Sequence, residues 1–257
     1  MLIGVPAVAG TVFLLVPLVA LVVRAPWRGL SRLLAQREVR SALRLSLECA
    51  TAATLVSLVL GVPLAWLLAR QSFPGRGLLR ALVTLPLILP PVVGGLALLL
   101  AFGRNGVLGA YLDSHLGFSL PFTTAGVIVS ETFVAMPFLV LTVEGALRSA
   151  DAGLEEAAAT LGASRATVFR RITLPLIGPS LAAGSVLCWA RALGEFGATI
   201  TFAGSFPGTT RTMPLAVYTA LEVDPEAGIA LSLVMLSVAV LVLIGLRERW
   251  LRAGGTP

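Results

Sequence analysis

The chain has no lysine. All 19 of its basic residues are arginine, set against 13 acidic residues and a single histidine. A phosphate loop of the G-x-x-x-x-G-K-[ST] type and a Schiff-base mechanism both require lysine, so neither is encoded here. Cysteine is nearly absent as well: Cys49 and Cys188 both fall inside apolar runs, which leaves no disulfide framework and no paired-cysteine metal site. His115 stands alone in a short polar loop, so most zinc sites and Ser/His/Asp arrangements lack a partner residue. Charge is scarce, at 12% of residues where soluble domains carry about 25%. The net charge of +6 does not indicate nucleic acid, because the arginines gather at the ends of apolar runs, where membrane topology places them.

What the chain does have is hydrocarbon, with 57% hydrophobic residues and a mean hydropathy of +0.94. Apolar runs near 3–23, 45–69, 81–102, 123–147, 178–203 and 227–246 each reach the ~20 residues that span a bilayer as a helix. The expectation is an all-α, polytopic helical bundle of about six transmembrane helices, forming a single domain over residues 1–257. No basic residue precedes the first run, so it reads as a span rather than a cleaved signal. The segment after the last run is too short to fold as a further domain.

One stretch, residues 150–175, cannot lie in lipid, because its charged side chains would each cost several kcal/mol there. Asp151 is placed to cap a short helix through Leu161, Gly162 to end it in a left-handed turn, and Ser164 to cap a second helix. Glu155 and Glu156 fall near the positive end of the first helix dipole. Ala157, Ala158 and Ala159 keep one face small enough to enter a partner's groove.

Within the bundle, Pro86, Pro90, Pro91, Gly94 and Gly95 predict a break in the third span, which is tolerated at membrane depth only where protein or water covers it. Arg191 and Glu195 stand four residues apart on one predicted helical face, and Glu131 lies in the fourth span. Arg191 can pair with Glu195 or with Glu131, as a lock for the bundle or as part of a gate. Gly194 and Gly197 are spaced to admit another helix, as where two copies meet at a pore.

Placing the polar loop in the cytoplasm puts both termini there, with ten arginines inside and eight outside; the nineteenth, Arg191, is in a span. Arg24, Arg28, Arg32, Arg37, Arg40 and Arg44 make the first external loop an exception to the positive-inside rule. Either residues 24–44 lie on the outer surface as an amphipathic helix, with Leu30, Leu33 and Leu34 on one face, or the first span does not cross.

The Glu156-Ala157-Ala158, Gly162, Ile172-x-Leu174-Pro175 spacing resembles the cytoplasmic coupling loop of binding-protein-dependent ABC importer permeases. RALGEFGAT, LPLILPPVVGGLALLL and TRTMPLAVYTALE resemble the permease subunits of molybdate and tungstate importers, from about Ser41 to Arg247; sulfate permeases share the LGEFGA core. The resemblance implies a multi-pass inner-membrane homodimer in a lipid bilayer, with two cytoplasmic ATPase subunits seated around Glu156 and an extracytoplasmic binding protein delivering the oxyanion. It implies no cofactor in this chain, with ATP and magnesium held by the partner ATPase, and a transport rather than an enzymatic role. Glu131 and Glu195 would repel a dianion. A transient cradle near Pro90, Pro91 and Gly94 would instead use Arg191, Thr199, Thr201 or backbone amides. The alternatives are a sulfate or other oxyanion permease, an ion-coupled transporter relaying protons through Glu131, Arg191 and Glu195, and an intramembrane enzyme, for which no nucleophile-and-base spacing is present.

Overall fold

The computed structural model describes residues 4–253, and among these every regular element is helical. In chain order they are α1 (Gly4–Val23), α2 (Leu30–Ala35), α3 (Arg37–Arg70), α4 (Arg76–Ile88), α5 (Pro91–Phe102), α6 (Gly109–Leu116) and α7 (Thr124–Ser149). There follow α8 (Ala152–Thr160), α9 (Arg165–Val168), a π-helical turn (Phe169–Thr173), α10 (Leu174–Leu193), α11 (Gly197–Ala203), α12 (Met213–Val223) and α13 (Pro225–Ala253). Among the described residues, five stretches are long and apolar enough to cross a bilayer, and six if α4 and α5 count as one bent span.

The core lies where α3, α7 and α10 meet. Ala50, Ala53 and Ala65 of α3 face Leu139, Val140, Val143 and Leu147 of α7, with Ile177, Cys188 and Ala192 of α10 closing the third side. In lipid no hydrophobic force drives helices together, so close packing of small residues must hold them. Gly61 illustrates this: a Cβ there would stand 3.1 Å from Val140. By contrast, no residue of α1 is buried.

The expected break in the third span is present as a 119° bend between α4 and α5. Leu89 and Pro90 are extended, the conformation a following proline imposes, and Pro91 opens α5 where its missing N–H costs nothing. Pro86 remains inside α4.

Two expected boundaries are corrected. The fifth span does not run over 178–203: its helix begins at Arg165, passes through the π turn and stops at Leu193. The apolar sequence GATITFAG carries hydropathy across a real turn, and α11 is a separate helix packed on α5 and α7. Residues 24–44 likewise do not form one surface helix. Only Leu30–Ala35 make the short α2, packed against α3 and α13, while Arg37 already belongs to α3.

The π turn has a local cause. Pro175, in the first turn of α10, has no N–H for the Arg171 carbonyl and crowds it, so the helix widens and the Leu174 N–H reaches Phe169 O instead.

Candidate functional site

The polar loop folds as its local signals require. The Asp151 carboxylate accepts from the Gly153 N–H at 2.8 Å and caps α8, while Gly162, at φ +81°, turns the chain after Leu161. The Ser164 hydroxyl accepts from the Thr167 N–H at 3.3 Å and caps α9. The second arm is not a free helix: through the π turn it runs directly into α10. Ile172 and Leu174 are half-buried on that path, and Pro175 is exposed.

The two glutamates divide in a way their adjacency hides. Glu155 turns inward, where Arg70 Nη2 at the end of α3 donates to its Oε1 at 3.1 Å and the Thr173 hydroxyl donates to the same oxygen at 2.9 Å. Glu156 is exposed, as is Ala157, and Ala158 is half-buried. Leu154, Ala157, Ala158 and Leu161 follow i, i+3, i+4, i+7 spacing and so share one stripe of α8. Leu161 at its end is 88% exposed, an unusual position for leucine in a water-bound loop. A cleft of about 730 Å³, lined by Pro63, Trp66 and Phe169 among others, opens on one side of the knuckle, so the Glu155 contacts pin it to the bundle.

Deeper in the bundle one of the two expected pairings is present and other expectations are corrected. Arg191 pairs with Glu195, Nη1 to Oε2 at 2.6 Å, and not with Glu131. Glu195 also accepts the Ala198 N–H at 2.8 Å through its other oxygen, which fixes the turn into α11. Glu131 is 1% exposed, and its Oε2 has no hydrogen-bond partner among the described residues. Thr199 shares a 3.0 Å hydrogen bond with Ser130, and the Thr201 hydroxyl donates to Gly197 O at 2.8 Å, so both proposed anion hydroxyls are engaged within the chain.

The glycine pair is also corrected. Gly194 is the exposed C-cap of α10, and Gly197 lies in α11 with its missing Cβ 2.6 Å from Pro91 Cβ of the same chain. Their spacing does not mark a surface for a second copy, because the helix ends between them. Across the same contact, a Cβ on Gly95 would meet Thr201 Cβ at 2.7 Å and Ala198 O at 2.8 Å, whereas one on Gly94 would meet only the Phe133 ring at 3.2 Å.

Sequence reasoning did not single out Glu144, which is buried on α7 near the loop end. It accepts from Arg80 of α4 and lies 3.2 Å from Arg148. The Glu144/Arg148 spacing of four was a visible signal for half of this triad; Arg80 joins it only through the fold. The Arg70–Glu155 link, between residues 85 apart, had no such signal.

A helical bundle with a broken span, a buried polar cluster and a polar knuckle tied to it defines a polytopic, all-helical membrane protein. Residues 61–252 match the family described as binding-protein-dependent transport system inner membrane component, and the chain belongs to that family. It is 50% identical over 244 residues to the molybdenum transport system permease protein ModB of Mycobacterium tuberculosis, covering 95% of this chain and 92% of that one. It is 37% identical over 245 residues to the sulfate transport system permease protein CysT of Salmonella typhimurium, covering 94% and 88%. A bacterial alginate ABC transporter, solved with a pentasaccharide-bound periplasmic protein, shares the fold at a TM-score of 0.78 and 19% identity, covering 98% of this chain and 93% of that one.

Proposed function

We propose that the chain is the permease subunit of an ATP-driven importer of molybdate or tungstate. It works as a homodimer in the inner membrane with two cytoplasmic ATPase subunits and an extracytoplasmic receptor that delivers the oxyanion. The observation that carries this reading is the 50% identity to a molybdenum permease along 95% of the chain, against 37% to the sulfate permease CysT and 41%, over 84% of the chain, to the sulfate permease CysW of Escherichia coli. ATP and magnesium are bound by the ATPase subunits, and the permease contributes the path and the lever.

The geometry supports a mechanical route. The exposed stripe Leu154, Ala157, Leu161 enters a groove of the ATPase, and Glu156 lies beside it. Motion of α8 then passes into the bundle twice: through Glu155 to Arg70 and so along α3, and through Ser164, α9 and the π turn into α10. The alternation between inward- and outward-open states follows from biasing these two helices together.

Uptake of labelled molybdate into proteoliposomes holding the permease, its ATPase and its receptor tests the reading. ATP-dependent accumulation that excess molybdate or tungstate suppresses, and sulfate does not, is the expected outcome. Equal competition by sulfate reassigns the anion, and uptake that persists without the ATPase favours an ion-coupled carrier.

The Arg70–Glu155 contact adds a prediction. Its side chains are 16% and 19% exposed, so the pair contributes between the up to about 1 kcal/mol of a surface bridge and the about 3–5 kcal/mol lost on breaking a buried one. Arg70→Ala is expected to leave ATP hydrolysis running while uptake per ATP falls several-fold. Glu155→Gln, which keeps an oxygen for the Thr173 hydroxyl, should fall less. Unchanged uptake per ATP in Arg70→Ala would remove α3 from the route.

A further inference from the structure

Two helices place one hollow at the edge of the hydrocarbon. α1 carries no charge over Gly4–Val23, 20 residues or about 30 Å at ~1.5 Å per residue, the thickness of a bilayer's hydrocarbon core. α13 carries none over positions 227–246, a stretch of the same length, and packs against α1. Arg24 and Glu226 are therefore the points at which the two helices meet the headgroup layer. Both lie at the end of the bundle where α3 begins, away from the knuckle held by Arg70.

At that level a hollow of about 710 Å³ is lined by Trp27, Arg28 and Arg32, on the segment that leads from α1 through α2, and by Asp224 and Glu226 at the start of α13. Its four charged side chains are exposed, and among the described residues none of them forms an ion pair. The Asp224 carboxylate is fixed by accepting the Glu226 N–H at 3.1 Å and the Ala227 N–H at 3.3 Å. Trp27 donates from Nε1 to Val22 O at 3.1 Å, at the depth where indoles favour the membrane interface. Charges of both signs thus stand around one cavity without closing on each other.

A second, apolar hollow of about 460 Å³ runs down α1 from Arg24. Among the described residues it is lined by Val12, Leu15, Val16, Val19, Ala20 and Val23, one stripe at helical spacing. From Val12 to Val23 the stripe is about 16 Å long at ~1.5 Å per residue, against about 15 Å for half of the hydrocarbon core. A groove of one leaflet's depth beneath a cluster of charges has the proportions of a phospholipid.

We infer that this corner binds a phospholipid with a primary ammonium headgroup, of the phosphatidylethanolamine class. Arg28 and Arg32 hold the phosphate, Asp224 and Glu226 accept from the ammonium, and one acyl chain lies along the α1 stripe. The charge pattern selects the headgroup. A lipid of net negative charge leaves the two carboxylates facing it unpaired, and a choline headgroup has no N–H to give them. A free phosphate uses neither the carboxylates nor the groove, and a soluble protein does not reach hydrocarbon depth. The lipid gives Arg28 and Arg32 a counter-charge and ties α1, of which no residue is buried, to the start of α13. The site does not depend on the transported anion; only its assignment to the outer leaflet rests on the cytoplasmic knuckle proposed above.

The test is native mass spectrometry of the whole permease–ATPase complex, released from detergent micelles supplied with equal amounts of dioleoyl phosphatidylethanolamine, phosphatidylglycerol and phosphatidylcholine. Wild type is expected to retain phosphatidylethanolamine about 10-fold over the other two, the ratio that one further charge-assisted contact supplies. Arg28→Gln/Arg32→Gln should lower that retention about 10-fold for the same reason. Asp224→Asn/Glu226→Gln, which keeps a side-chain oxygen to cap α13, should still bind phospholipid but lose the preference for ethanolamine over choline. Unchanged retention and selectivity in both double variants would overturn the inference, and uptake measured on the same preparations keeps that outcome separate from the importer reading. Displacement of the lipid by millimolar phosphoethanolamine would overturn it in favour of a free phosphate compound. A Val16→Cys thiol that cross-links to a second copy of the chain would overturn it by giving the groove to that copy.

Discussion

Ala157→Trp is expected to abolish ATP-driven uptake while the permease inserts at its normal level. Ala157 is exposed on α8, in the middle of the stripe that ends at Leu161. Within the chain an indole there projects into water, and the helix-propensity change is only about 0.5 kcal/mol. A total loss must therefore come from a collision outside the chain, where a small-residue face enters a groove. Trp at Glu156 is expected to act alike. Trp at Gly162 has open space, since no atom lies within 4 Å of its missing Cβ, but φ +81° adds a local strain of about 1–2 kcal/mol. Ala157 is thus the cleaner site, read by transport in proteoliposomes beside the amount of protein in the membrane. Full transport with Trp at 157 would contradict the docking role.

The second large effect is on the bundle. Gly95→Leu should lower the stability of the detergent-solubilised permease by about 3 kcal/mol, the upper part of the range for overpacking. The reason lies in what the new side chain meets: Ala198 O at 2.8 Å is backbone of α11, held by the bond from the Ala198 N–H to Glu195, and cannot turn aside. Gly94→Ala is the control, because its neighbour is the ring of Phe133 at 3.2 Å, which can shift by a few tenths of an ångström. Gly197→Leu attacks the same contact from α11 against Pro91, so the two leucine substitutions together should cost less than their sum. A melting temperature for Gly95→Leu equal to wild type would mean that α5 and α11 are not packed as described.

These contrasts show what the sequence could and could not tell. The knuckle was legible because Asp151, Gly162 and Ser164 act within three or four residues of themselves, and capping is decided locally. The proline break was legible for the same reason, since Pro90 and Pro91 forbid a regular helix wherever they fall. The Arg191–Glu195 pair was anticipated from helical spacing and is present, although the helix stops between its members and Glu195 also caps α11. That dual use was invisible, because GATITFAG keeps the apolar signal running past the turn. Which of Glu155 and Glu156 faces the bundle depends on how α8 sits against α3, a relation between residues 85 apart that no local pattern encodes. The spacing of Gly194 and Gly197 suggests a face for another copy, yet Gly197 accommodates Pro91 of its own chain. Small residues announce a close approach without saying to what.

On the proposed route every later movement starts where the exposed stripe of α8 touches the ATPase on the cytoplasmic side. Cys49 and Cys188 are both fully buried, so a cysteine introduced as Ala157→Cys is the reactive thiol to follow. In the assembled transporter, that thiol should cross-link to the ATPase subunit, be shielded from a membrane-impermeant reagent by it, and become reactive from the cytoplasmic side when the ATPase is stripped away. Labelling from the external side, or full reactivity with the ATPase in place and no cross-link formed, would contradict it.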